Sequence, residues 1–285
     1  MENINEDLTF PALFDVAGKI AVVTGGASGI GAMIASAFVQ NGATVYIASR
    51  KEKPLKEFCE ALNRRGPGSC SYVVADISSK AGCDALGDAI KAKESKVHIL
   101  VNNSGNTWGA PYENVPEKEG WDRVMELNVK SVFYLTVALT PLLAKDATNV
   151  DPGRVIIVSS IASRITNSLE SALASPGDGL WSYNTSKAAV NHLSDQLAAT
   201  LAKKNITVNA ILPGIFPSRM TKFGYKSHGN LIDAGQPMGR AGLPQDMAGV
   251  VLFLASKAGA HISGAKIPVD GGVIISLSRP PPPKL

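Results

Sequence analysis

The stretch that most restricts this chain is a strand that runs straight into a glycine-rich turn and then a helix. Residues 19–24, Lys-Ile-Ala-Val-Val-Thr, form a short apolar run that reads as a buried strand. Thr24-Gly25-Gly26-Ala27-Ser28-Gly29-Ile30-Gly31 follows, and a helix continues through Asn41 until Gly42 stops it. Glycines let the backbone turn tightly and approach a ligand with no Cβ in the way. A helix opening directly after such a turn aims free N–H groups and the positive end of its dipole at whatever sits there. This is the pattern of a pyrophosphate cradle, so Gly25, Ser28, Gly29, Ile30 and Gly31 are candidate dinucleotide-binding residues. A purely structural Gly-rich turn is the alternative.

The rest of the chain repeats the alternation. Further strands are expected at 44–48, 71–75, 97–101, 154–158, 206–211 and 265–269. Helices are expected at 54–64, 79–94, 121–143, 183–204 and 245–256, with Pro54 suited to a helix start. Most strands are continuous apolar runs, as they must be when helices cover both faces of a sheet. The expected fold is α/β, a doubly wound parallel sheet (Rossmann) of about seven strands with helices on both faces. With 285 residues, 45% hydrophobic and 18% charged, one large domain over 18–275 suits the chain better than two. Residues 1–17 read as a loose N-terminal leader and 276–285 as an extended Pro-rich tail.

Several function classes are excluded at this stage. The net charge is +4, and no Lys/Arg cluster is long enough for a nucleic-acid surface. A small basic excess is also what a site for a phosphorylated cofactor produces. The most apolar run, 132–144, is too short to span a bilayer and reads as a buried helix, so no membrane partner is expected. Cys59, Cys70 and Cys83 are odd in number and lack metal-like spacing; they read as free thiols in a reducing compartment. His98, His192, His228 and His261 are scattered, and no metal site is expected. The acidic N-terminus has no apolar signal core, which makes the cytosol the expected compartment. The final Pro283-Lys284-Leu285 resembles a Ser-Lys-Leu peroxisomal address, with Pro atypical in its first position.

Two further features carry chemistry. An acidic residue at the end of the second strand would hold the 2′-hydroxyl of NAD; this chain has Ser49-Arg50-Lys51 instead. Arg50 can pair with a 2′-phosphate, so these three are the candidate clamp for NADP(H), unless Arg50 is simply a solvated loop charge. Tyr183 and Lys187 are four residues apart, on one face of a helix. An ammonium beside a phenol favours the phenolate, so the Tyr183 pKa is expected to fall towards the working pH. A Tyr tuned in that way can protonate a carbonyl oxygen or deprotonate an alcohol.

With Thr-Gly-x-x-x-Gly-x-Gly, Asn102-Asn103-Ser104-Gly105 after the fourth strand, and Tyr-x-x-x-Lys later, the chain resembles the short-chain dehydrogenase/reductase family. The resemblance covers about residues 18–275, with every motif in family order. It implies that Asp76 and the backbone of Ile77 hold the adenine ring. Asn103, Ser104 and Gly105 fall near the cofactor ribose, with Ser in place of the usual Ala. Asn128 matches the Asn that anchors a water in the proton relay. Ser160 matches the Ser that hydrogen-bonds the substrate carbonyl, with Ser159 as the neighbouring alternative. Tyr183 is the implied acid/base, and Lys187 the residue that also holds the nicotinamide ribose. Pro213 and Gly214 match a turn beside the nicotinamide, where Phe216 and Ser218 would meet its carboxamide. Pro268-Val269-Asp270-Gly271-Gly272 matches the C-terminal signature.

Residues 107–111, 213–221 and 237–240 resemble a narrower subgroup, the NADPH-dependent 3-oxoacyl reductases of the rhamnolipid type. The implied function is carbonyl reduction: hydride from the nicotinamide to a small-molecule ketone, with Tyr183 as proton donor. A 3-oxoacyl thioester is one substrate class; a polyol, aromatic or secondary-metabolite ketone is the other. A non-catalytic NADP-sensing protein is the distant alternative. The segment between Ser160 and Tyr183 is longer than the family's spacing, and Met220, Phe223 and Tyr225 fall in the implied substrate lid. A homodimer or homotetramer through the Asn128 and Tyr183 helices is also implied.

Overall fold

The computed structural model describes residues 6–169, 174–218, 221 and 236–276. Seven strands form one sheet: β1 (Ile20–Thr24), β2 (Thr44–Ser49), β3 (Ser69–Val74), β4 (Ile99–Asn102), β5 (Gly153–Val158), β6 (Ile206–Pro213) and β7 (Lys266–Val269). Every pairing is parallel, in the order β3-β2-β1-β4-β5-β6-β7. The helices are α1 (Phe10–Phe14), α2 (Gly29–Gln40), α3 (Glu52–Leu62), α4 (Lys80–Lys91), α5 (Glu117–Ala144), α6 (Trp181–Leu201), α7 (Pro244–Ala255) and α8 (Val273–Ser276).

Successive residues of a strand point to opposite faces, and here both faces are dry. Ala21 and Val23 of β1 join Ile34 and Phe38 of α2 and Met247, Val251 and Leu254 of α7 in one core. Val22, between them, joins Leu86 and Ile90 of α4, Leu135 and Leu139 of α5 and Val190 of α6 in the other. That is why the strands read as unbroken apolar runs rather than alternating ones. The chain winds outward from β1 in two directions, so the loops leaving β1 and β4 diverge. Their separation opens a crevice at the carboxyl ends of the strands.

Three elements depart from the sequence expectation. α3 begins at Glu52, so Pro54 lies inside its first turn rather than at its start. The segment read as a leader contains the short helix α1, and Val16 beside it is only 1% exposed. α5 begins four residues before the expected 121, and its first half is not regular: Glu117–Asp122 and Glu126–Lys130 are π-helical. Its 28 residues are long and apolar enough to cross a membrane, but half of the apolar window is buried against the sheet and α4. It is the core helix of one face. The Pro-rich tail and the Pro283-Lys284-Leu285 tripeptide lie outside the described residues.

Candidate active site

The glycine turn is built as its composition demands. Gly25 and Gly29 have φ of +66° and +53°, a region that L side chains rarely adopt. A Cβ on Gly31 would lie 2.4 Å from both the Asn103 Nδ2 and the Gly25 carbonyl oxygen. Ser28 caps α2 without a side-chain hydrogen bond, so the first N–H groups of α2 keep their capacity for an anion. The turn is braced from β4: the backbone N–H groups of Asn103 and Ser104 each donate to Thr24 Oγ1 at 3.0 Å, and Asn103 Nδ2 donates to the Thr24 carbonyl at 2.7 Å.

A cleft of about 1350 Å³ runs from this turn to Tyr183 and Lys187. That exceeds the ~300–1,000 Å³ of a site for one drug-sized ligand and suits an extended dinucleotide with a second molecule beside it. Gly25, Ser28, Gly29, Ile30, Ser49, Arg50, Lys51, Asp76, Ile77, Asn103, Ser104, Gly105, Tyr183, Lys187 and Ser218 all line it. Arg50 and Lys51 are exposed at its rim, free to meet a phosphate. The residues fit a phosphorylated dinucleotide: an open helix N-terminus, glycines where the backbone closes in, and cations at the end of β2.

The remaining sequence candidates stand behind the wall. Gly31 is buried beneath the turn. Gly214 donates its N–H to Val269 and so ties β6 to β7, directly after Pro213. Phe216 packs against Gly242 in the core and lines a second, smaller cavity instead. Met220, Phe223 and Tyr225 lie outside the described residues.

Tyr183 and Lys187 sit on one face of α6, as their spacing requires, and both are buried. Ser160 hydrogen-bonds Tyr183, whereas the Ser159 hydroxyl donates to the Lys187 carbonyl at 3.2 Å. The second Ser is thus the one beside the phenol. Lys187 Nζ lies 5.6 Å from the centre of the Tyr183 ring and donates to the Val158 carbonyl at 2.9 Å.

The electrostatics correct one expectation. Burial pushes the Tyr183 phenol above its ordinary value, and the hydrogen bond with Ser160 opposes that rise. Burial also lowers Lys187 to about 8. The ammonium faces the ring and a carbonyl oxygen, so in the protein alone it does not drag the phenol down.

Asn128 lies in the second π-helical stretch of α5, a distortion common at functional positions. Asn106 N–H donates to Asn128 Oδ1, and Asn128 Nδ2 donates to the Asn106 carbonyl, each at 2.9 Å. The same Nδ2 reaches Ser186 Oγ, which donates to the Tyr183 carbonyl at 2.7 Å. Asn106 and Ser186 were not legible as site residues. Only the packing of α5 against α6 brings them together.

A family model described as Enoyl-(Acyl carrier protein) reductase matches residues 25–274. A 3-oxoacyl-acyl-carrier-protein reductase of rhamnolipid biosynthesis from Pseudomonas aeruginosa is 41% identical over 261 residues, 91% of this chain and 97% of its own. The short-chain dehydrogenase/reductase PhomF of Diaporthe leptostromiformis is 35% identical over 289 residues, 95% of this chain and 96% of its own. The chain belongs to the short-chain dehydrogenase/reductase family. Among solved structures, an active-site complex of Pseudomonas aeruginosa RhlG with NADP aligns at 40% identity with a TM-score of 0.83. It covers 92% of this chain and 99% of that one. For a member of this family, the cleft between the glycine turn and the Tyr183 helix is the place to seek a reaction.

Proposed function

We propose that the protein is an NADPH-dependent ketoreductase. The observation that carries this reading is one continuous cleft with the glycine cradle and Arg50 at one end and a buried Tyr183–Lys187–Ser160 set at the other. When bound, the reduced dinucleotide supplies a hydride to the carbonyl carbon of a ketone. Gly25, Gly29 and Gly31 let its pyrophosphate lie against the first turn of α2. Ser49, Arg50 and Lys51 receive the 2′-phosphate, Asp76 and Ile77 the adenine, and Asn103, Ser104 and Gly105 the ribose. Pro213, Gly214, Phe216 and Ser218 support the nicotinamide end.

Tyr183 donates its proton to the carbonyl oxygen as negative charge develops there, and Ser160 hydrogen-bonds the same oxygen. Lys187 holds the ribose beneath and keeps a positive charge near the departing proton. Asn128 positions the set: it fixes Asn106 and, through Ser186, the first turn of α6. The RhlG complex with NADP, at 40% identity, supports the cofactor assignment.

The first substrate class to test is a 3-oxoacyl thioester, because the 41% identical Pseudomonas aeruginosa relative is a 3-oxoacyl reductase. The protein is placed in the cytosol, where its three free cysteines stay reduced. It is proposed to assemble as a homodimer or homotetramer, since Phe133 and Val137 of α5 are 42% and 52% exposed. Light scattering tests the assembly.

For the reaction, NADPH consumption is followed with 3-oxoacyl thioesters, open-chain ketones and ring ketones. Turnover with NADPH and at most slow turnover with NADH is expected. Tight NADPH binding with no turnover on any ketone would sink the assignment and revive a sensing role.

A further inference from the structure

Two polar side chains in the cleft wall have nothing to bond to. Asn106 and Thr107 both line the cleft. Asn106 Oδ1 and Thr107 Oγ1 are buried, and neither has a hydrogen-bond partner among the described residues. Native proteins rarely bury polar atoms unpaired, and those left so usually await a ligand. Asn106 is also held firmly, since Asn128 binds both its N–H and its carbonyl.

Their place along the chain shows which ligand they face. Asn103 braces the glycine turn, and a Cβ on Gly105 would lie 3.7 Å from Lys187 Nζ. The segment then runs on through Asn106, Thr107 and Trp108 to Ala110, which pairs with Gly179 just ahead of α6. Asn106 and Thr107 therefore lie beyond Lys187, on the side away from the cradle. In the ketoreductase reading this is the substrate end, and the inference rests on that reading. The ketone oxygen can only accept, and Tyr183 and Ser160 already serve it. A second polar group on the substrate is needed to engage the pair.

We infer that Asn106 and Thr107 are specificity determinants that select ketones carrying a hydroxyl group close to the carbonyl. One hydroxyl can donate to the carboxamide oxygen of Asn106 and accept from the hydroxyl of Thr107. A substrate lacking it leaves both buried groups unpaired, and sites of this kind reject such analogues strongly.

The test compares matched ketones, hydroxyacetone against acetone and acetoin against butanone, each with saturating NADPH. The wild-type protein is expected to favour the hydroxylated member by about tenfold or more in kcat/KM. In Thr107→Val and Asn106→Leu, close in shape but without the polar group, that ratio is expected to fall towards one. NADPH affinity, read by fluorescence titration, is expected to stay within about twofold. Weakened NADPH binding in step with the lost preference assigns the pair to the cofactor and overturns the inference. So does a wild-type ratio near one while both ketones are reduced. Reduction of neither ketone, nor of any other, brings down the ketoreductase reading and this inference together. Melting curves show whether the variants fold; if neither does, the wild-type ratio alone decides.

Discussion

Two cations are buried at opposite ends of the same sheet, and they are treated in opposite ways. Arg154, at the amino end of β5, is 1% exposed. It donates to Asp151 at 2.9 Å and to the carbonyls of Pro152 and Ser256; only its Nε lacks a partner. Lys19 reinforces Asp151 at 3.0 Å from β1's approach, and the neighbouring His98 accepts from the Ile20 N–H at 3.0 Å. Burial pushes that imidazole down to about 4, so it stays neutral. Lys187, at the carboxyl end, is 5% exposed and has one protein acceptor, the Val158 carbonyl, with no carboxylate in reach among the described residues. A buried charge with its counter-ion holds strands together. A buried charge without one is kept ready for a ligand, at a cost in stability.

The contrast can be tested from its largest expected effect downward. Tyr183→Phe should lower ketone reduction by ~10²–10⁴ while leaving NADPH affinity and the melting curve nearly unchanged. A wild-type rate in that variant would remove the reactive end of the comparison altogether. Arg154→Met should do the reverse. Leaving Asp151 without its buried partner is expected to cost about 3–5 kcal/mol in denaturant unfolding, with turnover per folded molecule retained. Should stability hold and turnover collapse, the two ends would not differ as argued.

Arg50→Gln sharpens the cofactor side. Loss of a charge-assisted contact should weaken NADPH by about 1.5–3 kcal/mol in a direct titration, with NADH affinity almost unaffected. An equal loss for both nucleotides would mean that Arg50 does not read the 2′-phosphate.

The smallest effect concerns pH. Lys187 titrates near 8 in the folded protein and near 10.5 when unfolded. Between those values the unfolded chain binds more protons, so this group makes the cofactor-free protein more stable as pH rises, by at most ~1.4 kcal/mol per pH unit. Lys187→Met should lack that rise and equal or exceed the wild type in stability below pH 8. Parallel pH profiles for the two proteins would show that the ammonium is not destabilised by its site.

What could be read in advance was what depends on neighbours in sequence. The glycine turn, the apolar strands and the four-residue spacing of Tyr183 and Lys187 are local, and each stands where it was expected. The cation clamp was legible because strand ends in this fold have fixed duties. The misread parts depend on contacts distant in the chain. The rise of the Tyr183 phenol follows from burial by three segments, and no spacing rule reports burial. The choice between Ser159 and Ser160 turns on which hydroxyl meets the α6 backbone. The π-helical turns around Asn128, and the unpaired atoms of Asn106 and Thr107, arise only when α5 closes on α6. Arg154 resembled any charged residue at the start of a strand, yet it is among the most completely enclosed side chains of the protein.

The backbone rung between Ala110 and Gly179 also separates two timescales of change in evolution. Trp181 adds an indole donor to the same Ala110 carbonyl at 3.1 Å, so the first turn of α6 is moored below the long segment that precedes it. Residues added between Ser160 and Gly179 loop outward from that mooring rather than pushing on the phenol. Lineages of this enzyme can thus lengthen or rewrite the border of the substrate chamber, sampling new ketones, while the proton donor keeps its register.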